Sequence, residues 1–122
     1  MERPAIRFGA VTIDCAPEQV PAMVAFYRQL LDLQVEGEDG PYPYLSREGF
    51  AITLQPEEGY QPPTWPSLER GQQLHIDLMV DDLPAAVAYA KSIGASESSV
   101  QYSQRWHILL DPAGHPFCLC AF

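Results

Sequence analysis

The sequence has few basic residues and no long apolar run. Lysine and arginine together number 7 against 16 aspartates and glutamates, which gives a formal net charge of −9. A chain this acidic is a poor candidate for binding nucleic acid or an anionic membrane surface, because both attract cationic side chains. No apolar run approaches the roughly 20 residues of a membrane-spanning helix. We therefore expect a ligand that is neutral or cationic, with no nucleic acid and no membrane as partner.

Cysteine is also scarce. The three cysteines, Cys15, Cys118 and Cys120, are odd in number and lack the spacing of a zinc site. They are typical of free thiols in a reducing compartment. The sequence around Met1 shows no cationic segment followed by a long apolar one, so no secretion signal is expected. We predict a cytoplasmic location.

Hydrophobic periodicity predicts the order β-α-β-β-β, followed by a linker and then the same order again. The first set comprises a strand at 8–14, a helix at 17–32 and strands at 33–36, 42–47 and 50–55. Residues 56–73 are polar and proline-rich, without periodicity. The second set comprises a strand at 74–80, a helix at 83–93 and strands at 96–100, 105–110 and 116–121.

The two sets are an internal repeat at one constant offset. Thr12 aligns with His75 and Pro21 with Pro84, since 75 − 12 = 63 and 84 − 21 = 63. We predict one domain over residues 1–122, made of module 1 (about 6–56), a linker (about 57–72) and module 2 (about 73–122).

Three segments carry a resemblance to a known family: Leu74–Leu83, Asp111–Leu119 and the helix segment Phe26–Leu31. Together with the repeat, they resemble the vicinal-oxygen-chelate superfamily of glyoxalase I, extradiol dioxygenases and bleomycin-resistance proteins. The chain is most similar to small glyoxalase-like domain proteins. The resemblance implies an α+β fold in which two βαβββ modules form a curved mixed sheet around a cavity, with the helices outside. It also implies a homodimer with twofold symmetry.

Strand alternation assigns side chains to the two faces of each sheet. In the strand at 74–80, the apolar set Leu74, Ile76, Leu78 and Val80 should pack against a helix, together with Phe117 and Leu119 of the last strand. The opposite face should line the cavity. Its members are Thr12, Asp14 and Gln55 in module 1, and His75, Asp77 and Cys118 in module 2.

Metal-dependent members of the family place four ligands at points equivalent to Thr12, Gln55, His75 and Cys118. These positions supply no carboxylate, and divalent ions at such sites favour histidine and carboxylate ligands. Asp14 and Asp77 each lie two residues from a ligand position, about 6–7 Å along an extended strand, which argues against their replacing a ligand. We therefore predict no cofactor and no tightly bound catalytic metal, with a divalent ion as the alternative.

For the other candidate residues, both a functional and a structural role remain open. His75 is either a remnant ligand or general base, or a histidine satisfied by Asp77. The aromatic residues Trp65 and Trp106, with Tyr42, Tyr44, Tyr60 and Tyr102, either wall a ligand cavity or pack at a module or dimer junction. The offset matches His107 with Tyr44, which would place it at the same cavity. His115 lies in a turn and is expected to be structural or exposed.

These observations favour a small-molecule-binding protein of the glyoxalase and bleomycin-resistance type. Its metal site would be degenerate, and it would sequester a neutral or cationic organic ligand. The alternative is an enzyme, a metal-dependent lyase, isomerase or dioxygenase of the glyoxalase type that uses His75. A third possibility is an interaction module without a small ligand, for which the sequence offers no positive sign.

Overall fold

The computed structural model describes residues 1–3, 5, 8–38, 40, 42–72 and 74–121. Module 1 contains β1 (Val11–Cys15), α1 (Val20–Leu31), β2 (Gln34–Glu36), β3 (Tyr44–Arg47) and β4 (Phe50–Pro56). Module 2 contains β5 (Ile76–Val80), α2 (Leu83–Ser92), β6 (Ser96–Glu97), β7 (Trp106–Leu110) and β8 (Pro116–Ala121). The predicted βαβββ repeat and the α+β class are confirmed.

Each module forms one four-stranded mixed sheet. The strand orders are β1-β4-β3-β2 and β5-β8-β7-β6, so the two sheets have the same topology. In each, the first strand runs parallel to the last, and the other neighbours are antiparallel. As a result, β1 and β5 are edge strands whose second side has no ladder partner in the described part of the chain.

Local sequence explains where both helices begin and end. A 3-10 turn at Pro17–Gln19 leads into α1, and Pro21 lies in its first turn, where a missing N–H is tolerated. The carboxylate of Asp82 caps α2 by accepting a hydrogen bond from the Ala85 amide at 3.1 Å. Gly94 follows α2 with a φ of +126°, a conformation that favours glycine.

The helix-facing sides of both sheets share one hydrophobic core. Phe26 of α1 is fully buried. The centroid of its ring lies 4.9 Å from that of Tyr27 and 5.8 Å from that of Phe117 in module 2. Both ring pairs pack edge to face. Helix α1 therefore joins the two modules, and the opposite faces of the sheets point away from this core. The other core members include Ile13, Ile52, Leu54, Leu109 and Leu119.

The start of module 2 differs from the prediction. Phe117 and Leu119 are buried as predicted, but Leu74 is 83% exposed, so its expected burial is wrong. The ladder between β5 and β8 begins only with the pair Ile76 and Phe117, so no strand pairing carries Leu74 onto the helix. Within the described ranges, no helix is long and apolar enough to cross a membrane.

Candidate functional site

A cavity of about 500 Å³ lies between the edge of β1 and the start of β5, with the linker along one side. Of the predicted site residues, Thr12, Asp14 and His75 line it. The other lining residues come from both modules and the linker: Val11, Ile13, Tyr27, Tyr60, Gln61, Pro63, Arg70, Gly71, Gln72, Leu74, Ile76, His115, Pro116 and Phe117. The cavity thus depends on how the two modules are placed against each other.

A smaller cleft of about 170 Å³ borders the exposed face of module 2. It contains four predicted site residues, Trp65, His75, Trp106 and Cys118. Gln72, Tyr102, Ile108 and Pro116 complete its lining. His75 borders both cavities, whereas Gln55, Asp77 and His107 border neither of them.

His107 lies on the other side of its sheet from the predicted one. It pairs with Leu119 on the helix-facing side, while its neighbour Ile108 pairs with Cys118. The turn between β7 and β8 has five residues (111–115), against two (48 and 49) in module 1. These three extra residues shift the register of β7 against β8 by three positions relative to the register of β3 against β4. Because side chains alternate between the two faces of a strand, a shift by an odd number of residues moves each side chain to the opposite face. The expectation that His107 faces the cavity is therefore wrong.

Two of the four family ligand positions, Thr12 and Gln55, offer only weak donors to a divalent ion. The Thr12 hydroxyl is 2.8 Å from that of Thr53, and the Gln55 amide donates to the Pro56 carbonyl at 3.4 Å. An alcohol and an amide are weak ligands beside the nitrogen and carboxylate donors that such ions favour. We therefore derive no catalytic step through a metal held by those four residues.

A different group of donor atoms does converge. The ligand atoms of His75, Asp77 and Cys118 all lie within 4.8 Å of one another. His75 Nε2 is 3.3 Å from Asp77 Oδ1, and Asp77 is the ladder partner of Cys118. A separation of about 6–7 Å was expected between the side chains of His75 and Asp77, and it is wrong. His75 precedes β5, and its ring reaches toward Asp77. The interpretation of His75 as a histidine satisfied by Asp77 agrees with this contact.

The Cys118 thiol is not an activated nucleophile. Burial raises its pKa to about 11, and the Asp77 carboxylate, which also accepts a hydrogen bond from it, adds to the rise. Burial and the same carboxylate raise the pKa of Cys120 as well. Both thiols are thus protonated near neutral pH, whereas a catalytic cysteine needs a lowered pKa.

A buried polar cluster joins α1 to the turn after β7. Asp111 is 3% exposed and accepts a hydrogen bond from the Tyr27 hydroxyl at 2.6 Å. Its other oxygen accepts from the amides of Ala113 and His115 at 2.9 and 3.0 Å. Burial first, and then Asp111, raise the pKa of Tyr27. The sequence predicts this turn, but nothing in it indicates a partner 84 residues away.

His115 and Tyr60 extend this connection to the end of β1. His115 Nε2 is 2.6 Å from the Asp14 carbonyl oxygen, which can only accept, so this nitrogen carries the proton and donates. The Tyr60 hydroxyl donates to the Ala113 carbonyl at 2.8 Å, and burial raises its pKa. His115 is therefore a structural contact between modules as well as part of the cavity wall.

Gln72 is a site residue that sequence reasoning missed. Within the described ranges its buried Oε1 has no hydrogen-bond partner, and the residue lines both cavities. An unpaired buried acceptor is unfavourable by about 1–3 kcal/mol, so a donor that reaches it gains stabilisation. Gln72 lies in the linker, where no periodicity or motif distinguished it from neighbouring polar residues.

Comparison with known proteins agrees with this architecture. The model of the glyoxalase-like domain family matches residues 10–120. A glyoxalase/bleomycin resistance protein/dioxygenase family enzyme from Burkholderia phytofirmans PsJN is 22% identical, with a TM-score of 0.67 over 92% of this chain and 95% of the other. No curated protein matches the chain by sequence.

Two further solved structures have the same fold. A gene product from Arabidopsis thaliana is 17% identical, with a TM-score of 0.71 over 95% of this chain and 99% of the other. A fosfomycin resistance protein from Listeria monocytogenes is 14% identical, with a TM-score of 0.70 over 98% of this chain and 95% of the other. At these identities the likeness establishes the fold alone.

Proposed function

The chain belongs to the glyoxalase-like domain family, and from that premise we propose that it binds a small organic molecule in the cavity between its modules. The observation that carries the proposal is a cavity of about 500 Å³ lined by Gln72, whose buried Oε1 has no hydrogen-bond partner among the described residues. Ligand sites of proteins typically measure about 300–1,000 Å³ and combine apolar walls with a few polar groups.

The cavity wall has this mixed composition. Ile13 and Phe117 are buried apolar residues, and Val11 and Ile76 pack beside them. A ligand seated here would cover apolar surface and gain about 25 cal/mol for each Å² removed from water. The aromatic residues Trp65 and Trp106 line the adjoining cleft, where a flat ring system can stack.

The polar groups favour a ligand that donates hydrogen bonds. The lining residues Gln72 and Asp14 carry acceptor oxygens, and the chain carries a net charge of −9. Arg70 is the one arginine among the described lining residues, and it donates its Nε–H to the Pro62 carbonyl at 3.0 Å. A neutral or cationic ligand with N–H or O–H groups fits this set, and binding without chemical change would sequester it.

We further propose that the protein acts as a homodimer. The sheet faces that point away from the shared core carry large exposed side chains, including Tyr44 (38% exposed), Met79 (59%) and Trp106 (39%). A second copy related by twofold symmetry would cover Tyr44 and Met79, which lie outside both cavity linings. Light scattering tests this point, and a monomer at all micromolar concentrations would contradict it.

Ligand binding is tested with dyes of opposite charge. Acridine orange, a flat cation, should bind the full-length protein and raise its melting temperature, whereas the anionic dye anilinonaphthalene sulfonate should bind more weakly. Replacing Gln72 by Leu removes the unpaired acceptor and should weaken acridine orange binding by about 3- to 10-fold.

The matched control is Gln104→Leu, which changes an exposed amide outside both cavity linings. It should bind acridine orange as the native protein does. Failure of both dyes to bind, or equal losses in Gln72→Leu and Gln104→Leu, would contradict a site in this cavity. Tighter binding of the anionic dye would contradict the proposed ligand charge.

A further inference from the structure

We propose that His75, Asp77 and Cys118 form a binding site for a thiophilic divalent metal ion such as Zn²⁺, built from module 2 alone. The site does not depend on the proposed organic ligand. It also differs from the four family positions, because it includes Asp77 and leaves out Thr12 and Gln55. Asp77 lies in β5 and Cys118 in β8, and these two strands are direct neighbours.

The ligand types and the total charge of these three side chains suit such an ion. An imidazole nitrogen, a carboxylate oxygen and a thiolate sulfur are the three ligand types that zinc uses in proteins. Asp77 and the Cys118 thiolate together carry two negative charges, which match the charge of the ion. Binding breaks the S–H bond of Cys118, forms a metal–sulfur bond and releases the proton to solvent.

The positions of the donor atoms allow one ion to reach all three. His75 Nε2 and Asp77 Oδ1 are already 3.3 Å apart, and all three ligand atoms lie within 4.8 Å. Ligands about 2.0–2.3 Å from a common tetrahedral centre lie roughly 3.3–3.8 Å apart, so the widest of the three separations must close by about 1 Å. Rotation of the side chains would supply this change.

The surroundings leave the ion accessible and incompletely coordinated. The side chains of His75 and Asp77 are 45% and 58% exposed, so an ion can enter from solvent. His75 and Cys118 also line the 170 Å³ cleft that holds Trp65 and Trp106. A three-ligand site facing a cleft keeps a fourth position for water or another small ligand, which distinguishes it from a closed structural zinc site.

Cobalt(II) provides a direct test, because a cobalt–thiolate bond produces a charge-transfer band in the near ultraviolet. Titration of the full-length protein with Co²⁺ should produce this band at one equivalent, and Zn²⁺ should abolish it by displacement. Cys118→Ser should remove the band. His75→Ala and Asp77→Asn should each weaken cobalt binding by at least about 10-fold, since even indirect supporting groups have effects of this size.

The matched controls are Thr12→Ala, Gln55→Ala and Cys120→Ser, which should all keep the band and the affinity. Circular dichroism confirms that each variant is folded, and Asp77→Asn remains informative if Cys118→Ser does not fold. Absence of the band would overturn the proposal, as would a band that survives Cys118→Ser. An equal loss in Thr12→Ala or Gln55→Ala would place the ion at the family positions and overturn it as well.

Discussion

Module 1 and module 2 share a topology but divide packing and chemistry unequally. Helix α1 buries Met23, Val24, Phe26 and Tyr27, whereas α2 buries only Ala90 among its described residues. On the opposite sheet faces, Thr12, Asp14 and Gln55 of module 1 correspond at the offset of 63 to His75, Asp77 and Cys118 of module 2. Module 1 supplies most of the helix burial, and module 2 supplies the strong donor atoms.

This division shows how a repeat can specialise without a change of fold. The first copy keeps large residues where its helix meets the shared core. The second copy has smaller or less buried residues at the same helix positions, and titratable side chains on its exposed sheet face. A residue pair at equivalent positions is therefore an internal control for burial.

The largest expected effect concerns the equivalent pair Phe26 and Tyr89, since 89 − 26 = 63. Phe26 is fully buried, whereas Tyr89 is 49% exposed. Phe26→Ala should lower the free energy of unfolding by about 3–5 kcal/mol. Tyr89→Ala should lower it by about 1 kcal/mol or less, because it loses mainly one exposed hydrogen bond, to the Gln29 carbonyl. Urea unfolding measures both, and equal losses would contradict the asymmetry.

A smaller effect concerns the buried link from module 1 to the turn of module 2. Tyr27→Phe removes the hydroxyl that donates to Asp111 and should lower the free energy of unfolding by about 1–3 kcal/mol. Tyr60→Phe, which loses a bond to a carbonyl in a less buried place, should lower it by about 0.5–1.5 kcal/mol. A Tyr27→Phe variant as stable as the native protein would show that this link contributes little.

The same tyrosine predicts how stability changes at high pH. The pKa of Tyr27 in the folded protein lies well above its ordinary value of 10.0, so above pH 10 the unfolded chain loses this proton first. Its contribution to stability is complete below pH 10 and decreases as the pH rises further. Urea unfolding at successive pH values should show a shallower alkaline loss in Tyr27→Phe than in the native protein. Identical slopes would contradict this.

The smallest effect concerns the reactivity of the Cys118 thiol. Its pKa of about 11 predicts slow alkylation by iodoacetamide at neutral pH, with a rate that rises toward that value. In a Cys120→Ser background, Asp77→Asn removes a charge that raises the pKa and should speed the reaction. Mass spectrometry of the labelled peptide measures the rate. Equal or slower labelling in Asp77→Asn would show that the carboxylate does not control the thiol.

Much of the fold could be predicted from the sequence because it depends on short-range patterns. Alternation and helical spacing located the strands and helices, and one offset related the modules. The error at His107 arose where that offset was carried across a hairpin turn with three extra residues. Neither composition nor spacing specifies how a turn shifts the register.

The candidate site was less predictable because it depends on side-chain positions and on contacts between distant segments. Thr12, Asp14 and His75, which alternation places on one sheet face, line the cavity of about 500 Å³. The position of Gln72 in both cavity linings depends on how the linker packs against the two modules, which the sequence pattern does not show. The approach of His75 to Asp77 depends on where β5 begins, which the alternating pattern had placed two residues too early.

The unequal division of chemistry between the modules is tested most directly by nuclear magnetic resonance of the full-length ¹⁵N-labelled protein during a Zn²⁺ titration. The account predicts shifts that saturate at one equivalent and centre on the amides of His75, Asp77 and Cys118. The equivalent amides of Thr12, Asp14 and Gln55 should move little. Shifts of equal size in both modules, or none at all, would contradict it.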